Sequence, residues 1–144
     1  MNSNKISIVS GGFDPLHVGH IELFNKAKDI GGLIVILNND DFLARKKGKA
    51  FMPFEERKII LENLQMVDLV IPSIDKDDTV CASLEGLASL REGVDAELYF
   101  CNGGDRTSGE NTPEHGLCEK LEIHTVYGLG EKIQSSSCLT RDEA

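Results

Sequence analysis

The stretch Lys5-Ile6-Ser7-Ile8-Val9-Ser10-Gly11-Gly12-Phe13-Asp14-Pro15-Leu16-His17-Val18-Gly19-His20 decides the fold. Its opening, Lys5 to Val9, is a short run rich in Ile and Val, of the kind a parallel sheet buries on both faces. Gly11 and Gly12 then free the backbone to approach a ligand closely. From Val18 the chain takes up a helical period, and the amides at such a helix start suit phosphate. His17 and His20 stand three residues apart, so on a first helical turn they share one side.

Outward from that stretch the same alternation recurs. Apolar runs at Leu33 to Leu37, Asp68 to Ile71, Glu97 to Cys101 and Glu122 to Val126 predict four more strands. Helices are predicted from about Val18 to Ile30, Pro53 to Leu64, Thr79 to Arg91 and Pro113 to Lys120, two of them opening on Pro, as a first helical turn allows. No linker, repeat or low-complexity tract interrupts the pattern. Residues 1–144 are therefore expected to form one α/β domain, a five-stranded parallel sheet with helices on both faces. Such sheets bind ligands beyond the carboxyl ends of their strands, where strand order reverses. Residues 10–20, 38–49, 102–114 and 127–137, the most glycine-rich, polar or charged segments, would all open there.

Composition narrows the function classes. A chain of 144 residues, 40% hydrophobic and 27% charged, fits one soluble domain with a real core. A net charge of -9 argues against a general nucleic-acid coat or an anionic membrane surface as partner, so any anion must be drawn by a local site. No stretch approaches the roughly 18 apolar residues of a membrane span, and the opening residues lack the basic start and long apolar run of a signal peptide, so a cytoplasmic address is expected. Cys81, Cys101, Cys118 and Cys138 lie 17 to 20 residues apart, with no CxxC pair and no zinc-ligand spacing. They are expected to be reduced and structural.

Two imidazoles at a helix start can donate hydrogen bonds to phosphate oxygens and balance charge on a pentacoordinate phosphorus. Alone, the His-x-x-His spacing equally fits a metal pair or a satisfied cap. The flanking residues change that weighting. Gly-x-Phe-Asp-Pro-x-His-x-Gly-His directly after the first strand resembles the HxGH signature of the nucleotidyltransferase superfamily, the cytidylyltransferase-like proteins. The resemblance implies a Rossmann-like fold in which His17 and His20 stabilise the transition state as an acceptor phosphate attacks the α-phosphorus of a nucleoside triphosphate. It also implies that the backbone of Gly11, Gly12 and Phe13 cradles the triphosphate, that Gly19 leaves room for ribose or base, and that Asp14 holds the loop or reaches the acceptor.

Arg45, Lys46, Lys47 and Lys49 put four of the chain's 15 basic residues within five positions, where the sheet edge needs an anion site. By the same resemblance Lys46 serves catalysis and Lys49 and Arg57 the acceptor, with Lys47 an alternative to either lysine. Asp40 and Asp68 match acidic positions that bind the acceptor or brace Arg57. Gly103, Gly104, Asp105 and Arg106 resemble a GGD loop that meets the nucleotide from the far side, as in the adenylyltransferase domain of bifunctional heptose enzymes. Ser135, Ser136 and Ser137 resemble the family's C-terminal phosphate-gripping hydroxyls, although the last helix would be short. His115 and His124 lack signature neighbours and are assigned to surface or packing.

These readings lead to a Mg2+-dependent enzyme that moves NMP from ATP or CTP to a sugar phosphate or polyol phosphate and releases pyrophosphate. Magnesium is expected to ride on triphosphate oxygens and water, with no protein metal cage. A homodimer is implied by the family. The alternatives are a silent nucleotide-binding sensor and a mononucleotide adenylyltransferase of dinucleotide biosynthesis.

Overall fold

The computed structural model describes residues 5–76, 80–91, 96–103 and 113–129. β1 (Lys5–Gly11), β2 (Gly32–Leu37), β3 (Leu69–Pro72), β4 (Glu97–Gly103) and β5 (His124–Leu129) form one sheet, every pairing parallel, in the order β3-β2-β1-β4-β5. The chain runs outward from β1 through β2 to β3, then crosses back to start again at β4. The strand order therefore reverses beside the carboxyl end of β1, which is where such sheets open a crevice.

Hydrophobic side chains on both pleats of the central strands explain why helices cover both faces. Val9, Leu33, Val35 and Leu37 face a core completed by Phe24 and Ala27 of α1 (Val18–Ile30) and Leu61 of α3 (Phe54–Glu62). Ile8, Ile36, Leu98 and Phe100 face the other core, with Leu84 and Ala88 of α4 (Cys81–Arg91) and Cys118 of α5 (Pro113–Leu121). The strand residues alternate between these cores with the period of two that a pleat imposes. Gly31 joins α1 to β2 where a Cβ would lie 2.1 Å from the Lys5 carbonyl oxygen, so the backbones meet there only without a side chain. Among the described residues no helix is long and apolar enough to cross a membrane.

The sequence reading differs from the structure at residues 38–49, which were expected as an irregular loop. Residues Asp40–Lys47 form a further helix, α2. Asn39 caps it by accepting from the Phe42 amide at 2.7 Å, and Asp40 and Asp41 lie in its first turn. Gly48 ends it at φ 95°, a left-handed conformation that glycine adopts without strain. The strand ends also shift, β4 running on to Gly103 and β5 starting only at His124.

Candidate active site

The loop between β1 and α1 ends in a reciprocal cap. His17 is the N-cap of α1, and its Nδ1 accepts from the Gly19 amide at 3.1 Å. His20, three residues on, accepts at its own Nδ1 from the His17 amide, also at 3.1 Å. The histidines thus fill the positions that Ser and Glu occupy in an ordinary capping box. The consequence is chemical. A ring nitrogen that accepts carries no proton, so each neutral imidazole keeps its N–H on Nε2. The rings stack at 3.8 Å between centroids, 25° apart, so the two donors belong to one surface.

Their surroundings keep them neutral. Burial lowers the pKa of His17, and burial together with the neighbouring His17 ring brings His20 down to about 4. Phe13 supports His20 edge-on at 4.8 Å and reaches Phe24 at 5.2 Å, so its ring is part of the core. Its backbone turns at φ 48°, the left-handed region, directly ahead of the loop's polar residues. The two glycines before it serve packing as well as access: a Cβ on Gly11 would meet the Phe13 ring at 2.9 Å, and one on Gly12 would meet Leu43 at 2.6 Å.

A second set of contacts ties this loop to the segment after α2. Asp14, 1% exposed, accepts from the amides of Phe51 at 2.5 Å and Met52 at 2.6 Å. Of the two roles expected for it, the geometry gives the holding of the loop. Arg57, expected to reach an acceptor, is instead wholly buried, its side chain 0% exposed against 50% for Asp40. Its Nε donates to the Met52 carbonyl at 3.0 Å, its Nη1 to the carbonyls of Gly12 at 2.9 Å and Asn38 at 2.7 Å, and its Nη2 to Asp40 Oδ1 at 2.6 Å. A guanidinium committed to three segments positions the site and does not bind ligand directly. Sequence reasoning missed that role because it depends on backbone carbonyls.

Asp40 braces Arg57 and leaves half of its side chain open. Asp68 does not join the site. It pairs with Lys28 and accepts from the Leu33 amide, at the opposite end of β2 from the loop, and these bonds hold its carboxyl below the ordinary value. Gly19 sits in the first turn of α1 and Gly103 ends β4, both at the expected edge. Lys49 is exposed just beyond Gly48. Lys46 and Lys47 lie on the last turn of α2, and their side chains fall outside the described residues, as do Gly104, Asp105, Arg106 and Ser135, Ser136 and Ser137. Among the described residues no group of three or more His, Cys, Asp or Glu converges as a metal cage would.

Residues 8–120 match the model of the family described as cytidylyltransferase-like. The chain is 47% identical over 69 residues to the glycerol-3-phosphate cytidylyltransferase of Staphylococcus aureus, covering 47% of this chain and 52% of that one. Over 139 residues it is 31% identical to the bifunctional protein HldE of Helicobacter hepaticus, covering 94% of this chain and 28% of the relative. The chain thus spans about half or less of the length of these relatives. Among solved structures, a lipopolysaccharide core biosynthesis protein from Thermoplasma volcanium matches 87% of this chain and 96% of its own, with a TM-score of 0.62 at 23% identity, a likeness of fold.

Proposed function

The chain belongs to the cytidylyltransferase-like family of nucleotidyltransferases, and on that premise we propose that it joins the NMP of ATP or CTP to a small phosphorylated acceptor. In this reading a phosphate oxygen of the acceptor attacks the α-phosphorus, the bond from that phosphorus to the bridging oxygen of the β-phosphate breaks, and pyrophosphate leaves with the electron pair. No enzyme-bound covalent intermediate forms.

The observation that supports it most is the histidine pair. Two neutral imidazoles, their Nδ1 atoms engaged by the backbone, present Nε2–H donors at a helix start, where charge on the α-phosphate oxygens builds in the transition state. Neutral donors need no proton loss to act, and their fixed caps spare reorganisation. Lys46, Lys49 and the serines at 135–137 would add charge and donors around the triphosphate, and magnesium would enter bound to triphosphate oxygens.

The acceptor we favour is a sugar phosphate or polyol phosphate, which accords with relatives named glycerol-3-phosphate cytidylyltransferase and bifunctional protein HldE. A homodimer belongs to the same reading. The test is pyrophosphate release with Mg2+, ATP and CTP being offered separately against heptose, glycerol, ribitol and mononucleotide phosphates. Release that requires one nucleotide and one sugar or polyol phosphate is the expected result. Release only with a mononucleotide would move the protein to dinucleotide biosynthesis, and nucleotide binding without turnover on any acceptor would favour a sensor.

A further inference from the structure

Beside the histidine pair, the sheet edge holds two buried polar groups whose bonding capacity the fold leaves open. Asn38 follows β2 and is 5% exposed. Its backbone is fixed, the N–H donating to the Gly11 carbonyl at 2.9 Å and the carbonyl accepting from Arg57 at 2.7 Å. Its side-chain Oδ1 is buried and has no hydrogen-bond partner among the described residues. Asn102, near the end of β4, buries its Nδ2 in the same unanswered way.

These two asparagines are related by the sheet. β1 runs between β2 and β4. Asn38 lies just past the carboxyl end of β2 and Asn102 near the end of β4, at the irregularity of its ladder with β5 between Cys101 and Gly103, so both stand at the carboxyl edge of the sheet. Two strand spacings of about 4.8 Å, with Ile36 level with Ser10 and Phe100 level with Ile8, set their backbones roughly 12 Å from each other across β1. The loop that carries the histidines leaves β1 from between them.

Nearby Asp75 shows what a closed cluster looks like at this edge. Though 5% exposed, it accepts from the Ala82 amide at 2.7 Å and from the Ser83 amide at 3.0 Å and hydroxyl at 2.7 Å, so its needs are met within the fold. Asn38 and Asn102 offer one acceptor and one donor that nothing among the described residues meets, and folded chains retain few such groups. Phosphate cannot answer both, because at neutral pH it has little to donate to Oδ1. Hydroxyl groups can donate a hydrogen bond to Oδ1 and accept one from Nδ2.

We propose that Asn38 and Asn102 recognise hydroxyl groups on a polyhydroxylated portion of a substrate, the ribose of the nucleotide or the polyol of the acceptor, and hold it beside the histidine pair. The assignment rests on the nucleotidyltransferase reading. It is tested in the full chain with Asn38→Ala and Asn102→Ala. One arm measures by calorimetry the binding of ATP and CTP against their 2′-deoxy and 3′-deoxy forms. The other measures KM in pyrophosphate release for the acceptor against an analogue lacking a hydroxyl. The unaltered protein should disfavour the deoxy form in one arm by about tenfold, the worth of one well-made hydrogen bond. The variants should bring that ratio towards one, and the arm that responds names the substrate.

Ratios unchanged in both arms, with the variants folded by circular dichroism, would overturn the proposal. If Asn38→Ala does not fold, Asn38→Val and Asn102→Ala carry the same comparison. An unaltered chain that binds no nucleotide would overturn the nucleotidyltransferase reading as well, whereas binding with unchanged ratios overturns this assignment alone.

Discussion

At the scale of the residue, a histidine that caps a helix with its own ring has its tautomer chosen by the backbone. His17 and His20 each accept an amide at Nδ1, so capping leaves Nε2 of each ring for the proposed phosphate contact. The two uses can be separated. His17→Asn keeps an N-cap acceptor, so stability should change by less than about 1 kcal/mol. It removes one Nε2–H donor, so turnover should fall by about 10²- to 10³-fold. Steady-state kinetics beside urea unfolding checks both, and equal losses of stability and rate would refute the separation. The same geometry predicts a pH effect. His20 has a folded pKa of about 4, below its ordinary 6.5, so between those values the unfolded chain holds a proton that the native chain refuses. Stability must therefore fall as pH drops from 6.5 towards 4 and return as pH rises, His20 accounting for about 3 kcal/mol at pH 4. The difference in slope between the parent and His20→Gln in denaturant titrations across that window measures the share.

At the scale of the element, the site is held together by two buried charged side chains joining loops distant in sequence. Asp14 fastens residues 51 and 52 to the first loop, and Arg57 fastens Gly12, Asn38, Asp40 and Met52 to α3. Arg57→Lys keeps the charge and loses the fork, leaving buried carbonyls without donors. It should cost about 3 kcal/mol and lower kcat by about 10²-fold through displacement of the first loop. Thermal unfolding and kinetics at a temperature where the variant remains folded check it, and full activity there would show that the brace does not position the histidines. Gly31→Ala is the matching test away from the site. A Cβ set against the Lys5 backbone should lower Tm, while the folded fraction keeps its KM. The sequence carried enough to find α2, since Asn39, Asp40, Asp41 and Gly48 are a full set of start and stop signals. Among its six residues with described side chains only Phe42 and Leu43 are buried, too few for a helical period to show, and a cluster of lysines reads as a loop.

At the scale of the whole molecule, a chain of net charge -9 gathers four of its 15 basic residues, Arg45, Lys46, Lys47 and Lys49, beyond the carboxyl end of β2. Ile59 and Ile60 of α3 and Leu69 of the edge strand β3 remain 56%, 39% and 50% exposed, and the proposed homodimer would cover such a surface. Sedimentation velocity should then give about twice the 15.8 kDa of one chain, and Ile59→Asp should shift it to the monomer. A monomer throughout the micromolar range would count against the dimer. The sequence by itself determined the alternation of strands and helices, the sheet edge that carries the loops and the histidine pair, because each is written in contiguous residues whose period and spacing are local. It also placed Asp68 in the site and Arg57 in contact with ligand, both of which the tertiary structure moved. Only the fold decided those roles, along with the tautomers of His17 and His20 and the unanswered amides of Asn38 and Asn102. The physical reason is that a buried polar group takes its role from the partners that packing brings to it, and those partners lie on other strands and loops.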